Sequence, residues 1–100
     1  MMSLTMAQTV ATKREFKENI QRSQLSMEQI ASDLGTTPEV ITQSITMHPR
    51  RIEDNWIIRN YLNEYLAAHQ ITEVPFTALT GDYHRYWFLN AAIIERGIID

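Results

Sequence analysis

The stretch that decides the fold is residues 25–45, which read LSMEQIASDLGTTPEVITQSI. Ser26 is a favourable N-cap residue, and Gln29, three positions later, has the spacing of a capping box. Apolar residues then recur at the spacing of one helical face as far as Leu34. Gly35 follows where a helix commonly ends in a left-handed residue. The first half of the stretch therefore predicts a short helix with a defined beginning and end.

A second short helix is predicted directly after this glycine. Thr37 can act as its N-cap, and Pro38 suits the first helical position because the N–H that proline lacks would have no partner there. The small side chain of Ala31 lets the two helices approach closely, and Ile41 is expected to pack near it. Two helices joined by a tight turn form a helix-turn-helix pattern.

Six residues of this pattern resemble the key positions of the phage-repressor-like (lambda-repressor-like) helix-turn-helix families of bacteria. They are Leu25, Ile30, Ala31, Leu34, Gly35 and Ile41. The sequence departs from those families at Met27, where they often carry a glutamine that contacts phosphate, and at Thr36, where an aliphatic residue is common. The resemblance implies double-stranded DNA as a partner, with the second helix presenting its N-terminal residues to base edges in the major groove.

The outward edge of that second helix is the predicted base-reading surface. Its residues are Thr36, Thr37, Glu39, Thr42 and Gln43. A glutamine can pair with adenine, a threonine can contact a base or a thymine methyl group, and Glu39 can accept a hydrogen bond from cytosine N4. The edge has no lysine or arginine, and phosphates repel Glu39. Most of the electrostatic affinity for DNA must therefore come from other residues.

Arg50 and Arg51 are the predicted phosphate contacts, because they follow the second helix in a loop that often lies against the DNA backbone in repressor-like folds. The alternative is that they pair with the neighbouring carboxylates of Glu53 and Asp54. The sequence leaves both interpretations open.

The formal net charge of −3 argues mildly against a strong nucleic-acid binder, but the charge is distributed unevenly. Residues 1–23 carry four basic and two acidic side chains, and residues 53–100 carry three basic and seven acidic ones. The basic side chains of the first predicted helix, with Glu15 and Glu18 among them, form either a solvated mixed-charge surface or further phosphate contacts. They are Lys13, Arg14 and Lys17.

The composition is that of one small globular domain covering residues 1–100. An apolar fraction of 44% with 21% charged residues is ordinary for such a domain. The absence of cysteine excludes disulfides and thiolate metal sites and favours a reducing, cytoplasmic location. No stretch has the length and apolarity of a signal peptide or a membrane span, so no membrane association is expected.

Periodicity predicts three further helices, over residues 3–21, 54–69 and 82–96. Ser3 or Thr5 is expected to cap the first of these. Asp54 or Asn55 is expected to cap the second of these, which has the widest apolar face in the chain. Residues 70–81 are predicted to be irregular, with Phe76 and Leu79 as buried anchors. The predicted fold is therefore all-α: a small bundle of about five helices that contains a helix-turn-helix.

The aromatic residues near the C-terminus allow two interpretations. They are Tyr83, Tyr86, Trp87 and Phe88. A β-strand over residues 83–89 is the rival of the predicted helix. As a helix, four aromatic residues in six positions exceed what one face of a small monomer easily buries, which favours a homodimer interface. The alternative is that all four complete the core of the monomer.

Residues 52–62 and 75–90 carry a second resemblance. The run Gly-Asp-Tyr-His-Arg-Tyr-Trp-Phe-Leu at 81–89 is its most distinctive part. Along most of its length the chain resembles a bacterial family of about 100 residues catalogued as domain of unknown function 2316. The resemblance implies a small bacterial cytosolic protein and no established activity.

The sequence does not favour an enzyme. It has no glycine-rich phosphate loop and no metal-ligand spacing among His48, His69 and His84, so no catalytic residue, metal or cofactor is expected. The function predicted from the helix-turn-helix is sequence-specific DNA binding in transcription regulation. The alternative is a protein-interaction module that keeps the helix pair as a scaffold and binds a protein partner instead.

Overall fold

The computed structural model describes residues 4–99 and contains five α-helices. Their bounds are α1 Met6–Ser23, α2 Met27–Leu34, α3 Pro38–Ile45, α4 Ile52–Ala68 and α5 Ala91–Arg96. A short 3₁₀ turn, Tyr83–Arg85, lies between α4 and α5, and the described residues contain no β-strand. The all-α prediction is therefore confirmed. No helix within residues 4–99 combines the length and the apolarity that crossing a membrane requires.

Helix α1 begins at a complete capping box. The Thr5 hydroxyl accepts a hydrogen bond from the Gln8 N–H at 3.1 Å, and the Gln8 side chain accepts one from the Thr5 N–H at 2.9 Å. Two N–H groups that would otherwise lack a partner at the helix start are thereby satisfied. Ser3, the other predicted cap, lies outside the described residues.

Helices α2 and α3 form as the sequence predicts. Ser26 accepts a hydrogen bond from the Gln29 N–H, although the Gln29 side chain donates to Asp33 and leaves the capping box half formed. Gly35 ends α2 with φ +74°, and Thr37 caps α3 by accepting from the Val40 N–H. A three-residue turn thus joins the two helices.

The core lies where α2 and α3 meet α1 and α4. It includes the buried side chains Phe16, Ile30, Ala31, Leu34, Ile41, Ile57, Ile58 and Leu62. Phe76 and Leu79 are also buried, as predicted, and the Phe76 ring meets the edge of the Phe16 ring with centroids 4.9 Å apart. The irregular segment 70–81 is therefore part of the core despite having no regular structure.

Two buried polar side chains of α1 hold that segment in place. The Asn19 amide donates to the Val74 carbonyl at 2.9 Å and accepts from the Val74 N–H at 2.7 Å. Glu15 accepts from the N–H and the hydroxyl of Thr77 at 3.2 and 2.8 Å. Because buried backbone groups need partners, these bonds replace the ladder that a strand would have supplied.

The start of α4 differs from the prediction. The helix begins at Ile52, two residues early, and Arg51 precedes it without a side-chain capping bond. Neither Asp54 nor Asn55 caps it, because both are buried inside the helix. Asn55 instead donates to the Ser44 carbonyl of α3 at 2.7 Å. Asn55, which the local sequence pattern predicts as a cap, therefore makes a contact between two helices instead.

The predicted helix over residues 82–96 is wrong in its first half. Asp82 caps only the 3₁₀ turn, residues 86–90 are not helical, and α5 begins after Asn90. Asn90 accepts from the Ala92 and Ile93 N–H groups and so starts a separate helix. In a continuous helix the consecutive residues Tyr86, Trp87 and Phe88 would point about 100° apart. The 3₁₀ turn keeps Tyr83 and Tyr86, three residues apart, on one side, where both rings lie near Trp56 of α4.

The C-terminal segment folds back over the turn between α2 and α3. The Ile99 N–H donates to the Leu34 carbonyl at 2.7 Å, and Ile99 is buried. A Cβ atom placed on Gly35 would lie 3.0 Å from Cγ2 of Ile98, whereas one placed on Gly97 would have no neighbour within 4 Å. Both glycines have a left-handed backbone conformation, but only at Gly35 would an added Cβ atom be crowded by a neighbouring side chain.

These two glycines provide a matched test of that packing. We expect Gly97→Ala to lower the free energy of unfolding by about 1–2 kcal/mol, the cost of a left-handed non-glycine residue. Gly35→Ala should lower it further because the added methyl group also meets Ile98. Urea denaturation of both variants measures the difference. Equal losses would show that Ile98 does not crowd the turn.

Candidate nucleic-acid interface

The outward edge of α3 is uncovered. Ile41 and Ser44 are buried beneath it, whereas most of the predicted base-reading residues are exposed. The exposed members are Thr37, Glu39, Thr42 and Gln43, and Thr36 is half-buried. The Thr37 hydroxyl already accepts one hydrogen bond, from the Val40 N–H, as the cap of the helix. The edge is therefore polar and accessible, with Glu39 as its one ionisable group.

The solvent face of α1 is more basic than the sequence indicates. Glu15 is only 1% exposed and accepts hydrogen bonds from Thr77, so it does not lie among the basic residues on the surface. Lys13, Arg14 and Lys17 are exposed. Glu18 is half-buried on the same helix, so the three exposed cations outnumber the remaining carboxylate and give this face a local positive charge.

Lys13 and Lys17 border a surface groove of about 320 Å³ beside the end of α3, which we call the α1 groove. Its lining residues are Lys13, Lys17, Ile20, Gln21, Met27, Ile45 and Thr46. The groove brings two lysines of α1 next to the C-terminal end of α3. This proximity could not be read from the sequence, because 28 positions separate Lys17 from Ile45 along the chain.

The two arginines after α3 have different surroundings. Arg50 is exposed, whereas Arg51 is half-buried and its Nη2 lies 3.3 Å from Oδ1 of Asp54. The Asp54 side chain is completely buried, and its Oδ2 has no hydrogen-bond partner among residues 4–99. For Arg51 the structure thus contains the ion pair that was the alternative to phosphate contact.

The aromatic residues near the C-terminus divide into two groups. Tyr83 and Tyr86 lie with ring centroids 6.2 and 5.7 Å from Trp56, and Phe88 lies 5.6 Å from Tyr86. These three are half-buried within the monomer, as the core interpretation expects. Trp87 is 80% exposed and is the member still available to a dimer interface.

His84 joins the 3₁₀ turn to α5. Its Nδ1 lies 2.7 Å from Oδ1 of Asp82, its Nε2 contacts Oε1 of Glu95, and its ring stacks on Tyr83. Hydrogen bonds to Glu95 and then Asp82 raise the pKa of His84 above its ordinary 6.5. The spacing of Asp82 and His84 is visible in the sequence, but the approach of Glu95 depends on the break before α5.

A second cavity of about 220 Å³ lies between α2, α4 and α5. Its wall includes Tyr61, whose hydroxyl donates to Oδ2 of Asp33 at 2.5 Å. Burial, followed by the hydrogen bond to Asp33, raises the pKa of Tyr61. Within the described part of the chain, no group of three or more histidine, aspartate or glutamate side chains could hold a metal ion.

A family model described as an uncharacterized protein conserved in bacteria (DUF2316) matches residues 2–90. The chain therefore belongs to that family, as its sequence resemblance indicated. No curated protein and no solved structure matches the chain.

The surroundings of Arg51 predict a difference between the two arginines. Arg51→Ala should lower the free energy of unfolding by about 1–3 kcal/mol, because it removes the cation beside the buried Asp54 carboxylate. Arg50→Ala should lower it less, because Arg50 is exposed and an interaction of an exposed cation contributes at most about 1 kcal/mol. Urea denaturation measures both.

A double variant checks the cause of the Arg51 effect. Adding Asp54→Asn to Arg51→Ala removes the uncompensated charge and should recover part of the loss. A double variant less stable than Arg51→Ala alone would contradict the ion-pair explanation.

The contacts of His84 predict a pH dependence of stability. Because the folded-state pKa is raised, the stabilisation by charged His84 is complete below pH 6.5 and is lost as the pH rises through the folded-state value. The difference in thermal midpoint between the parent and His84→Gln should therefore be larger at about pH 5.5 than at about pH 8.5.

His48→Gln is the control for that experiment. His48 is exposed in the loop after α3 and has no carboxylate contact among the described residues. A His84→Gln effect that is independent of pH would show that His84 does not bridge the two carboxylates as a cation.

Proposed function

We propose that this DUF2316 protein binds double-stranded DNA sequence-specifically and acts as a small transcription regulator. The accessible polar edge of α3 is the observation that carries the proposal. Helix α2 supports α3 from behind through Ala31 and Ile41, both buried, as a helix-turn-helix that resembles the lambda-repressor-like families requires. Gln43 and Thr42 offer hydrogen-bonding groups of the kind that read base edges.

We assign the phosphate contacts to basic side chains that are exposed near α3. Arg50 is exposed in the loop after α3, and Lys13 and Lys17 approach the C-terminal end of the same helix. Arg51 contributes to the position of this loop through its pair with Asp54. These few cations support weak binding by a monomer, and a symmetric dimer with Trp87 in its interface would double the number of contacts.

A DNA-binding experiment tests the proposal in two steps. Selection from a random duplex library, with fluorescence anisotropy at a series of salt concentrations, should give a preferred sequence and a steep loss of affinity with salt. No binding even at low salt would contradict the proposal.

Variants then separate base contacts from phosphate contacts. Gln43→Ala should cost about 1–3 kcal/mol on the preferred sequence and relax preference at one position. Arg50→Ala should weaken binding to all sequences and reduce the salt slope by about one. Arg85→Ala makes the same change in net charge on the exposed 3₁₀ turn and should have neither effect. Equal losses from Arg50→Ala and Arg85→Ala would remove Arg50 from the interface.

A second candidate function is protein interaction, and a different observation favours it. The α1 groove contains the apolar side chains of Ile20, Met27 and Ile45. A phosphate makes no use of such side chains, whereas a protein helix can pack against them.

A further inference from the structure

The solvent face of α1 carries an apolar surface that the described residues, 4–99, leave uncovered. Met6 is 84% exposed and Val10 is 61% exposed, four residues apart on the same side of the helix. Lys13 and Lys17 continue this side at positions seven and eleven residues after Met6. We call these four residues the α1 stripe.

The α1 stripe leads into the α1 groove. The two lysines belong to both, and beyond them lie the half-buried side chains of Ile20, Met27 and Ile45. From Met6 to Gln21 the helix rises about 22 Å at about 1.5 Å per residue, the length of about four helical turns. Stripe and groove together are thus long enough for a short helix of another molecule.

The charge of this surface is of one sign. Lys13 and Lys17 are the only ionisable residues among the stripe and the described lining of the groove. Glu15 lies two residues from each lysine, on the opposite side of α1, where it is buried and bonded to Thr77. Glu18, which follows Lys17, is half-buried and does not line the groove. A molecule that binds here must therefore offer apolar side chains to Met6, Val10 and the apolar residues of the groove. It must also offer negative charge to the two lysines.

We propose that the α1 stripe and groove bind an amphipathic helix of a partner protein, with an apolar face flanked by aspartate or glutamate. Such helices lay apolar residues at positions i, i+3, i+4 and i+7 into a groove, and their charged flanks select the partner. The proposal rests on the second candidate function, protein interaction, and specifies the class of partner; it does not rest on DNA binding.

A second copy of this chain fits the surface less well. In a symmetric dimer each copy presents the same patch, so an interface centred on the stripe would bring the lysines of both copies close together. Duplex DNA also fits less well, because its phosphates would pair with the lysines but leave Ile20, Met27 and Ile45 without an apolar partner. An acidic amphipathic helix satisfies both parts of the surface.

The probe is a fluorescein-labelled synthetic peptide of about 18 residues, with leucine at the i, i+3, i+4 and i+7 positions and glutamate elsewhere. One control peptide replaces each glutamate with lysine, and another keeps the composition but scrambles the leucine spacing. Fluorescence anisotropy with the full chain should show that the glutamate peptide binds at least about tenfold more tightly than either control.

Matched variants locate the binding surface. Val10→Ser should weaken binding of the glutamate peptide about five- to tenfold, and Lys17→Glu should do the same. Arg14→Glu changes the net charge equally on the same helix but lies outside the α1 stripe, so it should change affinity less than twofold. The three side chains are exposed, so circular dichroism should show unchanged thermal midpoints.

Three results would overturn the proposal. The first is no preference for the glutamate peptide, and the second is an equal effect of Lys17→Glu and Arg14→Glu. The third is a dimer in sedimentation that Val10→Ser dissociates, which would identify a second copy as the occupant. The outcome is distinguishable from that of the DNA experiment, because Val10→Ser should leave the dependence of DNA affinity on Arg50 unchanged.

Discussion

The enclosure of the first half of α4 is the constraint on which the rest of the structure depends. Residues 54–58 are all buried, although five consecutive residues point to every side of a helix. Such a helix is stable only if neighbours cover it on all sides. Helices α1, α3 and α5 contact it, and the aromatic rings of Tyr83 and Tyr86 cover Trp56.

This enclosure determines which surfaces remain for binding. Asn55 of α4 bonds to the last turn of α3 and so fixes the inner side of that helix. The polar edge of α3 consequently faces away from the core. Helix α1 uses Phe16, Asn19 and Glu15 to hold the segment 74–77 and turns Met6, Val10 and its lysines toward solvent. The two proposed binding surfaces meet at the end of α3, where the α1 groove lies.

Folding also determines where the charged side chains of the protein lie. A chain with a net charge of −3 is a poor general ligand for phosphate, and the proposal of DNA binding requires that its cations be concentrated. Folding concentrates them by burying Glu15 beneath α1. It also removes one cation, because Arg51 compensates the buried carboxylate of Asp54. The positive charge of the surface therefore depends on which carboxylates are buried as much as on the number of lysines and arginines.

The sequence by itself determined the elements whose signals are local. Ser26, Gly35, Thr37 and Pro38 fix the ends of α2 and α3 through capping and backbone geometry, which depend on a few adjacent residues. The all-α class and the anchors Phe76 and Leu79 also followed from periodicity and composition. Tertiary structure decided the break before Asn90, the start of α4, the burial of Glu15 and the joining of His84 to Glu95. Each of these depends on a contact between residues distant along the chain, whose geometry no local pattern encodes.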